Sequence, residues 1–79
     1  MENNKEQTKL LRIGQLAKET NEQVTTIRYW VTEGLLKVKE LTESGYQLFE
    51  PTMVDIVKDI RRLQTEKRLT IAEIKEELK

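Results

Sequence analysis

Cysteine and histidine are both absent from the 79 residues, and proline occurs only once. With neither thiol nor imidazole available, the chain can form no disulfide, no thiolate metal site and no histidine-based acid/base relay. Glycine is scarce as well, with three in all, and none lies in a phosphate-binding loop pattern. No apolar run approaches the ~18 residues a membrane-crossing helix needs, and the N-terminus lacks a signal-peptide core. The paired acids Glu76 and Glu77 read as helix solubility, because hydrolytic acid pairs need partners in a cleft. The expectation is a soluble intracellular protein that is not an enzyme, needs no cofactor and has no membrane partner.

Net charge is missing too. Fourteen basic residues balance fourteen acidic ones, and taken alone that argues against a nucleic-acid binder. Distribution matters more than the sum. From Lys9 to Lys39 six basic residues stand against three acids, and from Lys58 to Arg68 five stand against two. The stretch from Glu40 to Asp55 holds four acids and no base. One face of the fold can therefore still be positive.

What is present is helix-forming Leu, Glu, Lys, Gln and Arg, in a chain long enough for one domain with a small core. Residues 1–8 are polar and aperiodic, and read as a disordered tail. Residues 9–79 form the expected domain. Ile13, Leu16 and Ala17 fall at i, i+3 and i+4 and mark a helix from about Ile13 to Glu19, with Leu11 packed beneath it. Asn21 suits the left-handed conformation that ends such a helix.

A second helix runs from about Val24 to Glu33. At about 100° per residue, Val24, Ile27, Trp30 and Val31 share an apolar arc of about 120°, and Thr25, Arg28, Tyr29 and Thr32 lie opposite. Gly34 stops this helix, and Leu35-Leu36 return the chain to the core. Two short helices with a tight joint form a helix-turn-helix pattern. From Lys37 to Phe49 the helical period vanishes around Thr42-Glu43-Ser44-Gly45, as expected for a β-hairpin that stands alone and leans on the helices.

Pro51 opens a third helix as its first residue, with Met53, Val54, Val57, Ile60 and Leu63 as its apolar stripe to near Thr65. Thr70-Ile71-Ala72-Glu73 is a capping box that starts a fourth helix, running to the chain end with Ile71, Ile74 and Leu78 inward.

Ile13-Gly14-Gln15-Leu16-Ala17-Lys18, then Val24-Thr25-Thr26-Ile27-Arg28-Tyr29-Trp30, then Glu33-Gly34-Leu35-Leu36, resembles the N-terminal domain of MerR-type transcription regulators. Glu43 to Phe49 looks like that family's first wing, and Ile60-Arg61-Arg62-Leu63 with Leu69 to Ile74 looks like its second helical pair. The resemblance spans roughly Leu11 to Leu78, with every element in order. It implies an all-α fold with a small β-hairpin wing, a four-helix winged helix-turn-helix. It further implies double-stranded DNA as the partner, in the bacterial cytoplasm at the nucleoid. The second helix would lie in the major groove and the wings on flanking phosphates.

Carried over by position, Thr25, Thr26, Arg28, Tyr29 and Thr32 would face DNA from the second helix. Arg12, just before the first helix, and Lys18, on it, flank them. Tyr46 and Gln47 on the wing and Lys67 and Arg68 in the last turn would touch the backbone. Lys37 and Lys39 lead into the wing, with one near the backbone, and Arg61 and Arg62 offer either phosphate contacts or a solvated face. Tyr46 serves as a wing contact or as hairpin packing, whereas Trp30 belongs to the core.

Gln47 stands where the family usually carries Arg, exchanging a charge-assisted contact for a neutral one about half as strong. Asn21 replaces a Gly of the first turn, Trp30 a second Tyr, and basic residues the usual Gly of the last turn. Family regulators continue into a long dimerisation helix and an effector domain, so the sequence is either a fragment or an effectorless member. No small-molecule effector is expected on this chain, and a second copy on DNA is the expected protein partner. Two alternatives stay open: an excisionase-like architectural protein that bends DNA, or a protein-interaction domain that has lost DNA binding.

Overall fold

The computed structural model describes residues 9–79; the tail expected over 1–8 lies outside the described residues. Strand β1 (Leu11–Arg12) leads directly into α1 (Ile13–Thr20), and α2 (Val24–Thr32) follows. Strands β2 (Glu40–Leu41) and β3 (Gln47–Phe49) form the hairpin, and α3 (Met53–Glu66) and α4 (Ile71–Glu77) complete the chain.

Both helices of the first pair end in the same way. Asn21 has φ 58° and ψ 39°, its N–H donates to the Lys18 carbonyl, and the Glu22 N–H donates to that of Ala17. Gly34 has φ 84°, its N–H donates to Val31, and that of Leu35 to Trp30. Each is a Schellman closure that needs one left-handed residue. Asn tolerates that conformation by local hydrogen bonding and Gly by lacking a Cβ. These two reversals aim α2 and then bring Leu35 and Leu36 back into the core.

The hairpin does not stand alone. β3 is the centre of a three-stranded antiparallel sheet in the order β1-β3-β2, with Leu11 opposite Phe49 and Arg12 opposite Leu48. Leu11 packs against the core as expected, and it also pairs as a strand residue, which the sequence did not reveal. A two-residue strand is too short to display a period-2 pattern, so only the partner strand reveals it. Through β1 the wing is joined to the start of α1, and Phe49, fully buried, carries it into the helical core.

Pro51 is not the first helical residue. It lies in a turn that precedes Met53, where the Met53 N–H donates to the Glu50 carbonyl. α4 stops at Glu77, short of the chain end. Its capping box forms as expected: the Glu73 N–H donates to Thr70 Oγ1 and the Thr70 N–H to Glu73 Oε1.

The core comprises Leu16, Ala17, Ile27, Trp30, Leu35, Leu36, Phe49, Val57, Ile60, Leu63 and Ile74, and among the described residues no polar residue is buried with them. Burying such a large apolar side chain contributes about 1.5–3 kcal/mol. Val24, Val31, Met53, Val54, Ile71 and Leu78 pack partly buried around that centre. Among the described residues no helix is long and apolar enough to cross a membrane.

Candidate nucleic-acid interface

The inner arc of α2 is fixed by burial: Ile27 is fully buried and Trp30 is 1% exposed. That placement turns Thr25, Arg28, Tyr29 and Thr32 outward, and all four are exposed, Tyr29 by half. Thr26 is only half-exposed, because it lies about 40° around the helix from Trp30. The Thr32 hydroxyl donates to the Arg28 carbonyl at 3.1 Å, which commits its proton and leaves the oxygen able to accept. Four exposed polar side chains without a carboxylate among them can meet an electron-rich partner. Gln23 provides no side-chain cap at the start of α2, and its carbonyl accepts from the Thr26 and Ile27 N–H groups.

The wing stands beside this face and separates two clefts. One, of about 450 Å³, is lined by Arg12, Ile13, Gly14, Gln15, Lys18, Tyr46 and Gln47. The other, of about 410 Å³, is lined by Ile13, Arg28, Leu41, Gly45, Tyr46 and Gln47. The Arg12 guanidinium sits 5.2 Å from the Tyr46 ring centroid, and its backbone N–H donates to Gln15 Oε1 at 2.9 Å. Half a capping box thus starts α1, since a guanidinium has no acceptor for the other half. Tyr46 is 57% exposed; it is a surface platform for Arg12 and does not pack inside the hairpin. The hairpin turn closes through Gly45 at φ 87°, with the Gly45 N–H on the Thr42 carbonyl and the Tyr46 N–H on Thr42 Oγ1.

Arg12, Lys18, Arg28, Tyr46 and Gln47 are thereby brought together around the outer end of the sheet. Other residues singled out from the sequence lie elsewhere. Lys37 borders a separate groove with Gly34, Leu35, Lys75, Leu78 and Lys79. Lys39 pairs with Glu50 at 3.7 Å at the hairpin base, and Arg62 pairs with Asp59 at 3.7 Å along its own helix. Lys67 caps α3, and Arg68 takes φ 53° in the following turn, doing with a side chain what glycine does without one. Both are exposed.

Arg61 is engaged within the protein. Its Nη2 donates to Glu22 Oε1 at 2.7 Å and its Nε to Glu22 Oε2 at 2.9 Å, while Nη1 reaches Gln64 Oε1 at 3.2 Å. The hydrogen bonds to Glu22, aided by its charge and opposed by burial, raise the Arg61 pKa above the usual guanidinium value. A raised folded-state pKa stabilises the fold below the unfolded pKa and is lost only as pH climbs through the folded value. That window lies far into alkali, so Arg61 is cationic wherever the domain is folded.

Sequence reasoning missed Ile13, Gly14 and Gln15 as cleft walls and Leu41, 63% exposed, as an apolar wing residue. An outward leucine in a hairpin was the available signal for the last. Glu22 had none: its partner is 39 residues away. Among the described residues no group of three His, Cys, Asp or Glu side chains is placed to hold a metal.

Known proteins share this fold. The model of the MerR HTH family regulatory protein matches residues 11–79. The mercuric resistance operon regulatory protein of Bacillus cereus is 40% identical over 53 residues, which is 67% of this chain and 40% of that protein. A transcription regulator from Ralstonia metallidurans, solved in complex with lead(II), superposes with a TM-score of 0.76 at 32% identity, covering 86% of this chain and 52% of that one. A MerR-family transcriptional regulator from Bacillus cereus shares the fold, with a TM-score of 0.69 at 22% identity over 89% of this chain and 52% of its own. The chain spans about half or less of the length of these relatives. With a family match over residues 11–79 and the helix-turn-helix and wing in place, the chain belongs to the MerR family of helix-turn-helix regulatory proteins.

Proposed function

We propose that residues 11–79 are the double-stranded DNA-reading module of a transcription regulator, with α2 in the major groove and the wing against a flanking phosphate. The observation that carries this reading is the outer face of α2, where Thr25, Arg28, Tyr29 and Thr32 are exposed together beside Arg12 and Lys18. Arg can grip a guanine bidentately through O6 and N7, and Thr offers a methyl for thymine or a hydroxyl for phosphate. Tyr46 and Gln47 supply neutral contacts, and Arg12 supplies the charge that the wing itself lacks.

Lys67 and Arg68, exposed at the far turn, are the second backbone contact in this reading, and Lys37 and Lys39 lie further from the groove. One module offers few contacts against a duplex distortion of several kcal/mol, so binding in pairs on one site fits best. The role is regulatory and not catalytic, and its setting is the bacterial cytoplasm.

A salt titration with duplex DNA tests the proposal. Affinity should fall steeply as salt rises, with a log–log slope near −0.9 per phosphate contacted. Absence of binding even at roughly 50 mM salt, where counterion release favours association most, would leave only a protein-interaction role.

A further inference from the structure

We propose that Arg61 is a positioning residue for α2, acting through Glu22 and Trp30 and not by touching DNA. This inference rests on the DNA-reading role proposed above. Glu22 lies in the turn just before α2, and Trp30 lies in its last turn. One guanidinium grips both: it forks onto the two oxygens of Glu22 at 2.7 and 2.9 Å and stands 5.4 Å from the Trp30 ring centroid. Arg61 itself projects from α3, the longest helix of the fold, and Gln64 one turn on steadies it at 3.2 Å. The recognition helix is therefore tied at its entry and near its exit to a single point on a separate element.

Several features set this contact apart from a surface ion pair. The Glu22 side chain is only 10% exposed, although Arg61 is 45% exposed. A carboxylate so enclosed needs its partner, because without it a charge is left poorly solvated. The fork geometry is bidentate, which fixes orientation as well as distance. Trp30 is 1% exposed, and a cation facing its ring adds attraction on top of packing. Arg62 next door pairs instead with Asp59 on its own helix.

Glu22 supplies the decisive test, since removing an acid near a DNA-binding face ordinarily strengthens binding. If Arg61 were a phosphate contact held back by Glu22, E22Q would free it and tighten DNA binding. If Arg61 positions α2, E22Q weakens binding. Duplex affinity and its salt slope would be measured for wild type, E22Q, R61A, R61K and E22Q/R61A, alongside fluorescence of Trp30, the single tryptophan, in the free protein.

The expected result is a loss of roughly two- to thirtyfold for E22Q and R61A, with the salt slope unchanged. The double variant should be no weaker than the weaker single one, and Trp30 emission should shift in both singles. R61K, which keeps the charge but cannot fork, should fall between R61A and wild type, and serves should R61A fail to fold. Tighter binding by E22Q, or a slope reduced by about one in R61A with Trp30 emission unmoved, overturns the inference. Wild-type protein that binds no duplex refutes the DNA role instead, and the clasp is then judged on Trp30 emission alone: an unmoved signal in E22Q and R61A refutes it too.

Discussion

The helix-turn-helix and the wing flank the same surface but are built on opposite principles. α1 and α2 bury Leu16, Ala17, Ile27 and Trp30, close with two Schellman turns, and are tied to α3 by Arg61. The wing has strands of two and three residues, buries Phe49 at its root, and leaves Leu41 and Tyr46 exposed at its outer end. Its charge is opposite as well, with Glu40 and Glu43 both exposed on it. In one region the reading surface is held rigid by the core behind it. In the other, position depends on a short ladder and a single glycine turn. On the proposed DNA-reading role, this contrast assigns sequence discrimination to α2 and leaves the wing to adjust how tightly the backbone is held.

The largest contrast should appear in stability. Trp30→Ala empties a site at the centre of the core and should destabilise the domain by about 3–5 kcal/mol, a large share of what a small domain possesses. Tyr46→Ala, on the exposed wing, should stay within about 0.5 kcal/mol of wild type. Thermal unfolding followed by far-UV circular dichroism measures both. Similar losses for the two would mean that the wing is as integral to the fold as α2.

Next comes recognition. Arg28→Ala should weaken binding to a selected site by about 1–3 kcal/mol and relax preference at one base pair. Selection from random duplexes reads that directly. An equal loss on every sequence would move Arg28 from base to phosphate and leave the reading to Thr25 and Tyr29. Gly45→Ala should act on the wing by a different route: φ 87° suits glycine, and a side chain there is strained even though nothing lies within 4 Å of the added carbon. A cost of about 1–2 kcal/mol is expected, confined to the hairpin and visible as faster amide exchange at Thr42 and Tyr46.

What could be read from the sequence divides along the same line. The helical half was legible because local signals agree there: the apolar arc of α2, Asn21 and Gly34 at the chain reversals, and Thr70 with Glu73 at the start of α4. Each lies within a few residues of the feature it specifies. β1 was not legible, because two residues carry no period and its partner Phe49 lies far along the chain. Pro51 suggested a helix start two residues early, since a turn and a first helical residue both accept its fixed φ. In the candidate site, the outward set on α2 followed from the arc, apart from the half-hidden Thr26. Arg61 looked like any basic residue on a helix, because the Glu22 and Trp30 that occupy it are brought near only by tertiary packing.

The smallest expected effect is also the sharpest probe of the wing. Gln47 lies in β3 opposite Leu41 and lines both clefts beside Tyr46, so a longer cation there points along the proposed path of the backbone. Gln47→Arg should add one charge-assisted contact and steepen the salt slope by about 0.9, because one more counterion leaves the duplex. Fold stability should change by no more than about 0.5 kcal/mol, as the residue is only partly enclosed. Base preference should not change, since a phosphate contact carries no sequence information. Glu43→Gln on the same hairpin removes repulsion without creating a contact, so it should raise affinity less and leave the slope nearly as it was. If Gln47→Arg changes neither slope nor affinity, the wing stands clear of the backbone, and Arg12 at the end of β1 and Lys18 on α1 must hold that flank of the duplex.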